Sequence, residues 1–422
     1  MTLAEAKLLA VFSFPWVWAQ SPVLARQAVT LPDESDAGLE SRDSLLDPLR
    51  LRAKFSIQNA DGFQDARRIE RFMRNNICSQ VVVPLWTEAV AVTVDVDGDT
   101  ISCGSTTNRL FSTDRFALLW HSAASYELIE LSAVNAGSVV ATEAVAGTFI
   151  IGDRLVPVMI TESMTAVGAV DWESSYWVKG GMEFSEDPTM AAALPFSFSL
   201  PTAGGITVWP LPLSWAGGVR HEHDLLSVTE VADSLVGRSV AMSAPRSALR
   251  CIVDFDGREM IARALALHDA LGGRRSPLWF PSGKRDLAIV TGGTNVTSID
   301  VQPIGYADNE WAQRQSASDY SRVFVLIRKA STWHTRRITN CTVLQDGNER
   351  ITISGAVTVD SSAHISFLLY GRMGFDDLAV EFVDAVHASA QVEFKELPTE
   401  YATYYNLADA NGTINADGVL LP

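Results

Sequence analysis

The sequence is short of cysteine, of positive charge and of long apolar runs, and each shortage removes a class of function. Its four cysteines, Cys78, Cys103, Cys251 and Cys341, lie far apart with no C-x-x-C pair among them. That spacing gives neither a zinc ribbon nor a redox dithiol, and it fits synthesis in a reducing cytosol without disulfides. Lysine and arginine number 33 against 50 aspartates and glutamates, a formal charge of −17. Such a balance repels phosphate backbones and leaves no basic stripe, so specific nucleic-acid binding is not expected. No apolar stretch is long and charge-free enough for a membrane-crossing helix. A P-loop, a G-x-S-x-G elbow and a glycine-rich dinucleotide turn are all missing. The expectation is a protein with no enzymatic activity, no catalytic residues, no cofactor and no bound metal.

What is present is apolar material for real cores, 47% of 422 residues, enough for two or three domains. The run Leu8 to Trp18 faintly resembles a signal peptide, but Glu5 accompanies Lys7 before it and Pro15 interrupts it. A repeat accounts for it better. Phe14-Pro15-Trp16-Val17-Trp18 matches Leu211-Pro212-Leu213-Ser214-Trp215, and Leu49-Arg50-Leu51-Arg52-Ala53-Lys54-Phe55 matches Leu249-Arg250-Cys251-Ile252-Val253-Asp254-Phe255. Pro84-Leu85-Trp86 then matches Pro277-Leu278-Trp279, Phe116 to Trp120 matches Phe324 to Arg328, and Glu183-Phe184-Ser185-Glu186-Asp187-Pro188 matches Glu393-Phe394-Lys395-Glu396-Leu397-Pro398. Five matches in one order imply an internal duplication. The domains expected are 1–187 and 208–398, joined by a Pro-rich connector 188–207 and followed by an extension 399–422.

Each unit reads as short alternating strands with turn residues between them, such as Val90 to Val96, the Asp97-Gly98 turn and Thr100 to Cys103. One helix per unit interrupts the pattern, over 61–75 and 257–271. The second has Asp256 and Glu259 as a capping box and Gly272-Gly273 as its stop, with Ile261, Ala264, Leu265, His268 and Leu271 on one stripe. In the first, Phe63, Ala66, Ile69, Phe72 and Met73 form the stripe. Trp86 and Trp279 are expected as core anchors just after the helices. The fold class expected is mainly β with one helix per domain.

Four constellations invite chemistry, and blander readings suit them better. Asp95, Asp97 and Asp99 resemble a calcium loop, but Gly98 comes too early and the twelfth position is Thr106. His221-Glu222-His223-Asp224 puts two imidazoles on one side of a strand without a third ligand. Gly292-Gly293 reads as a hairpin loop. In the repeated Glu-Phe-x-Glu segments the two glutamates point to opposite faces and Phe184 and Phe394 face inward. Asn295, Asn340 and Asn411 begin N-x-Ser/Thr triplets, which carry no weight if the protein is made in a bacterial cytosol.

The second unit, through Pro277-Leu278-Trp279-Phe280-Pro281, Asp286-Leu287, Arg322 to Arg328, Arg372-Met373, Asp377-Leu378 and Glu381-Phe382, resembles tail proteins of long-tailed bacteriophages. The first unit shares this only weakly, since Trp86-Thr87-Glu88-Ala89 lacks the Pro and the Asp. The resemblance implies two tandem tail-tube-like domains, each a β-sandwich or partial barrel with a helix at its side, in a virion structural protein of the tail tip. It implies a distal tail or baseplate hub ring, trimeric ahead of hexameric, contacting the tail tube and other tip proteins. A tandem carbohydrate-binding protein presenting Trp172, Tyr176 and Trp177 is the alternative.

Overall fold

In a computed structural model, residues 1–18, 20–34, 40–46, 48–58, 63–76, 79–162, 170–174, 177–214, 218–224, 227–232, 235–240, 246–311, 322–329 and 332–397 are described. Cys78, Tyr176, Asn411, positions 61 and 62 of the expected first helix and the expected extension 399–422 lie outside them. The protein is mainly β.

After a short helix α1 (Leu3–Ala6), the first half runs β1 (Ala10–Val11), β2 (Val23–Gln27), β3 (Thr30–Glu34), β4 (Glu40–Ser44), β5 (Arg50–Gln58), α2 (Phe63–Asn75) and β6 (Val81–Pro84). It continues through β7 (Val90–Ala91), β8 (Thr100–Ser102), β9 (Arg115–Ser122), β10 (Ser125–Asn135), β11 (Ser138–Ala141), β12 (Arg154–Ile160), β13 (Val170–Ser174) and β14 (Trp177–Ser185). A small hairpin of β15 (Thr202–Ala203) and β16 (Ile206–Thr207) leads into the second half. There follow β17 (Arg220–Asp224), β18 (Ser227–Ala232), β19 (Leu235–Val240), β20 (Arg246–Asp256), α3 (Arg258–Leu271) and β21 (Leu278–Pro281). The chain ends its described part with β22 (Ile289–Thr291), β23 (Gly293–Val301), β24 (Phe324–Lys329), β25 (Thr332–Val343), β26 (Glu349–Val359), β27 (His364–Met373), β28 (Asp377–Phe382) and β29 (His387–Glu396).

One order of pairings runs through both halves. In the first, β2 pairs with β5, a hairpin of β3 and β4 follows, β5 pairs with β14, and β13 pairs with β14. In the second, β17 pairs with β20, β18 and β19 form the hairpin, β20 pairs with β29, and β28 pairs with β29. The remaining strands pair in the order β6, β12, β9, β10, β11, β8 in the first half, a sheet of their own, and β21, β27, β24, β25, β26, β23 in the second, where β27 also pairs with β29 and so continues the large sheet. Even the entering chain agrees, because Val11 lies parallel beside Val82 and Val208 lies parallel beside Trp279. The halves differ in detail: β7 pairs with β12 in the first, β22 pairs with β23 in the second, and the longer link between β23 and β24 includes a π-helical turn, Tyr306–Trp311.

The pairings also correct two of the five sequence matches. Lys54 faces Glu183 and Arg250 faces Glu393, so Arg250 holds the place of Lys54, four residues along from Arg50. Likewise Val82 faces Ile160 and Trp279 faces Tyr370, so Trp279 holds the place of Val82, not of Trp86. Trp86 instead starts a 3-10 turn, Trp86–Glu88, whereas Trp279 sits inside a strand. Both indoles are buried.

Local structure follows the expected periodicities. Along β5, Leu51, Ala53, Phe55 and Ile57 point inward while the residues between them are more exposed, the period of two for a strand covered on one face. On α3 the residues Ile261, Ala264, Leu265, His268 and Leu271 are all buried, and Gly272 ends the helix in the left-handed region at φ 62°. Its start departs from the expected capping box. The N-cap is Gly257 at φ 103°, no side chain caps the helix, and Asp256 is still paired in β20 opposite His387. The strand runs one residue too far for Asp256 to turn back onto the helix, and only a glycine accommodates the bend that follows. On α2 Ala66 and Ile69 are buried, Phe72 and Met73 pack at the core margin, and the side chain of Phe63 is outside the described set.

The largest core belongs to both halves at once. Phe12, Phe14, Trp16, Phe55 and Phe184 join Trp209, Phe255, Phe280, Phe382 and Phe394 in one cluster. Within the Leu8 to Trp18 run Phe12, Phe14 and Trp16 build this core, while Leu8 and Trp18 at its ends are exposed.

Candidate functional site

What holds the halves together is a strand joint. β2 of the first half pairs antiparallel with β28 of the second, from Val23 opposite Glu381 to Gln27 opposite Asp377. The sheet therefore passes from one half into the other without a break, and α3 lies across the join against β20, β28 and β2.

Charged side chains lock this joint. Arg26, on β2, is 1% exposed and donates to both carboxylate oxygens of Asp269 on α3, at 2.8 and 3.0 Å, and to the Ala192 carbonyl at 2.8 Å. Arg258, at the start of α3, forms an ion pair with Glu88, donates to the carbonyls of Thr87 and Ala385, and lies 5.2 Å from the Phe382 ring centre. Thr30 donates its hydroxyl to Asp376 at 2.7 Å, and Arg274 contacts both, at 2.8 and 3.1 Å. His268 donates Nε2–H to the Asp376 carbonyl at 2.9 Å. Complete burial is the chief reason its imidazole is held down to about 4. Arg109 is pulled down to about 10 first by burial and then by Arg258, against the pull of Glu88.

Beside the joint lies a groove of about 470 Å³ lined by Pro15, Trp16, Trp18, Trp86, Trp120 and Arg154 of the first half and by Val383, Asp384 and Ala385 from the β28–β29 turn. Trp16 stacks on Phe55 at 4.2 Å, Trp86 meets Trp120 edge-on at 5.1 Å, and Trp120 donates its N–H to the Ser13 carbonyl. Trp18 is the most open of the four indoles, at 39% exposure.

The constellations singled out in the sequence are dispersed. Asp95 accepts from the Ile151 N–H at 2.9 Å and Asp99 from the Thr100 hydroxyl, as loop-fastening carboxylates do. His221 lies on β17, and the side chain of His223 is outside the described set. Glu186 is buried and accepts from the Leu51 N–H at 2.9 Å; burial pushes its carboxyl above the ordinary range, opposed by that bond and by Arg115 and Arg26. Glu393 is equally buried and paired with Arg250 at 2.6 Å. The expected hairpin loop at Gly292-Gly293 does not form there: Gly293 already pairs with Val359 in β23, Thr291 pairs with the distant Asp300, and a Cβ on Gly292 would stand 2.3 Å from the Val359 carbonyl oxygen. Among the described residues no three of His, Cys, Asp and Glu are grouped to hold a metal, and no helix is long and apolar enough to cross a membrane. Cys103, Cys251 and Cys341 are free and buried. The side chains of Trp172 and Trp177, with all of Tyr176, lie outside the described set.

Sequence reasoning missed Arg26, Asp269, Arg258 and Glu88, because nothing in a linear pattern marks an arginine and a carboxylate this far apart as partners. It also missed Trp18 and Trp120 as neighbours of Trp86. No protein-family model matches the chain, and no curated protein matches it.

Proposed function

We propose that this chain is a virion structural protein of a bacteriophage tail tip, a distal tail or baseplate hub ring that connects the tail tube to tip proteins or fibres. The observation that carries the reading is the side-by-side joint. Two halves with one order of strand pairings continue a single sheet through β2 and β28, the relation expected between neighbouring subunits of a ring rather than between beads on a string. An origin by internal duplication into two tail-tube-like domains accounts for that shared order. Three copies then present six like domains, a match for a sixfold tube, and this favours three copies over six. The charge of −17 suits a ring around a channel through which DNA must slide without sticking.

The test is to purify virions from the producing host, count the chain against the tube protein by quantitative mass spectrometry, and locate it by cryo-electron microscopy. Absence of the chain from the particle would refute the reading. Three copies at the tail tip support the trimer, and six support the hexamer.

The tryptophan-lined groove favours one second reading, binding of a glycan. Sugars stack on indole faces, and the groove volume lies in the range of small-ligand sites. Glycan-array binding that is lost in Trp18→Ala would support it, and an array without hits would set it aside.

A further inference from the structure

Among the described residues, β13 pairs only with β14, and β17 only with β20. In the shared order of pairings β17 holds the place of β2, since each runs beside the long strand that precedes the helix, and β13 holds the place of β28. β2 and β28 are the two strands that meet in the internal joint. We propose that β17 of one copy pairs antiparallel with β13 of the next copy, repeating the internal joint between chains and closing a head-to-tail ring. The proposal rests on the structural-ring reading and names the contact that builds the ring.

The register can be carried across. Val23 faces Lys54 and Arg220 faces Arg250, and Lys54 and Arg250 hold one place, so Arg220 stands where Val23 does. Val170 faces Gly180 and Val380 faces Ala390, which puts Val170 in the place of Val380 and Asp171 in that of Glu381. Since Val23 faces Glu381 within the chain, Arg220 faces Asp171 between chains, and His221 faces Val170. The transferred register thus sets a cation opposite an anion, a favourable cross-strand pair. Both are exposed at the surface, the Arg220 side chain at 73% and paired with Glu222 on its own strand at 2.8 Å, and Asp171 opposite Lys179 of its own hairpin, so the contact between copies would share these charges rather than find them free. The sequences agree as well, with Ala169-Val170-Asp171-Trp172 answering Ala379-Val380-Glu381-Phe382.

An open strand edge is a template for another strand, and proteins that leave one either blunt it or use it. Here two different edges are complementary to each other, so the contact is heterologous and closes only by rotation into a ring. A second copy is the occupant because this chain carries both edges. The polar lock is the part that does not transfer. Counting back from their last helical residues Asn75 and Leu271, α2 has Phe72-Met73 where α3 has His268-Asp269, and Arg285 stands where Glu88 does. The contact between copies is therefore weaker than the internal one and forms at high local concentration.

The experiment is cross-linking of the concentrated full-length protein carrying Arg220→Cys together with Asp171→Cys, both at exposed positions. Oxidation is expected to yield a ladder of disulfide-linked chains ending in a closed circle, seen on non-reducing gels and by electron microscopy. Wild type oxidised in parallel controls for the native cysteines. Single-cysteine variants cannot propagate a ladder. In sedimentation, Arg220→Asp or Asp171→Arg alone should weaken each contact by about tenfold, and the two together should restore it. A double-cysteine protein that stays unlinked, or that links only through pairs of identical edges, overturns the proposal. The virion assay above decides the ring reading separately, because a chain found at the tail tip but not linked through these edges keeps the reading and loses the contact.

Discussion

Removing Asp269 should loosen the joint between the halves more than removing its partner does. Arg26 is 1% exposed and has three hydrogen bonds, two of them to Asp269. Asp269→Ala leaves a buried guanidinium with one carbonyl, and an orphaned buried charge costs about 3–5 kcal/mol. The surviving bond to Ala192 puts this case near the lower end, about 3 kcal/mol. Arg26→Met leaves a carboxylate that is 21% exposed and can rehydrate, so the loss is nearer the value of the bonds themselves, about 1–2 kcal/mol. The double variant Arg26→Met/Asp269→Ala should recover part of the difference, since neither partner of the bridge is stranded, while buried Glu186 still loses the attraction of Arg26. A chain of this size does not unfold in two states, so the readouts are the first thermal transition and hydrogen exchange in peptides covering β2 and β28. For a half-sized cooperative unit, about 3 kcal/mol corresponds to a fall of roughly 6–12 °C. If Asp269→Ala shifts the transition no more than Arg26→Met does, the bridge is not what locks the joint.

Three further outcomes are expected. The ordinary histidine value of 6.5 is held down to about 4 at His268 by burial, so the unfolded chain takes up the proton first. Stability is then full above pH 6.5 and is lost as pH falls toward 4, by at most about 1.4 kcal/mol per unit, and His268→Gln should flatten that slope in pH-dependent melts. Burial pushes the thiol of Cys103 up to about 11 and those of Cys251 and Cys341 up to about 12; peptide mapping after iodoacetamide treatment at pH 8 should find these three unmodified until the protein is denatured. Gly371→Ala should destabilise by about 3 kcal/mol in thermal scans, because its Cβ would stand 2.1 Å from the Lys395 carbonyl oxygen and 2.7 Å from the Phe280 ring; an unchanged transition would show that β27 and β29 can move apart there.

The sequence revealed the β class and the two long helices, since these rest on local periodicity and turn chemistry, but not α1 or the short helical turns at Trp86–Glu88 and Tyr306–Trp311, so one helix per domain was too few. It misplaced two correspondences by four residues for a reason built into that method. A slip of four leaves the inward and outward faces of a strand unchanged, and on a helix it returns to the same stripe. Phe55 and Phe255 therefore match in sequence and both point inward, yet they stand at different heights along β5 and β20. Only a cross-strand partner fixes the height, as Glu183 does for Lys54 and Glu393 for Arg250. The capping box failed because pairing with His387 carries β20 on through Asp256. The joint was illegible for a different reason: Arg26 and Asp269 are ordinary surface residue types until the fold buries one against the other.

The unequal chemistry of the two joints bears on symmetry. Within a chain, the join of β2 to β28 is tethered and is locked by Arg26 with Asp269 and Arg258 with Glu88. Between chains, on the proposed contact, the corresponding helix positions are the apolar Phe72-Met73 and the lock is missing. A ring of three copies would then alternate three locked joints with three unlocked ones. Its outline would repeat six times while its bonding repeats three times, which is what a layer between a sixfold tube and a threefold tip requires. On that proposal the same alternation would keep assembly in hand. A chain whose outer contacts are weak folds and persists as a monomer, and closes only where neighbours are already held in place and local concentration is high. Reconstruction of the tail tip with threefold rather than sixfold averaging should resolve the two kinds of joint as different. Six indistinguishable joints would contradict the proposed difference between the two kinds of contact.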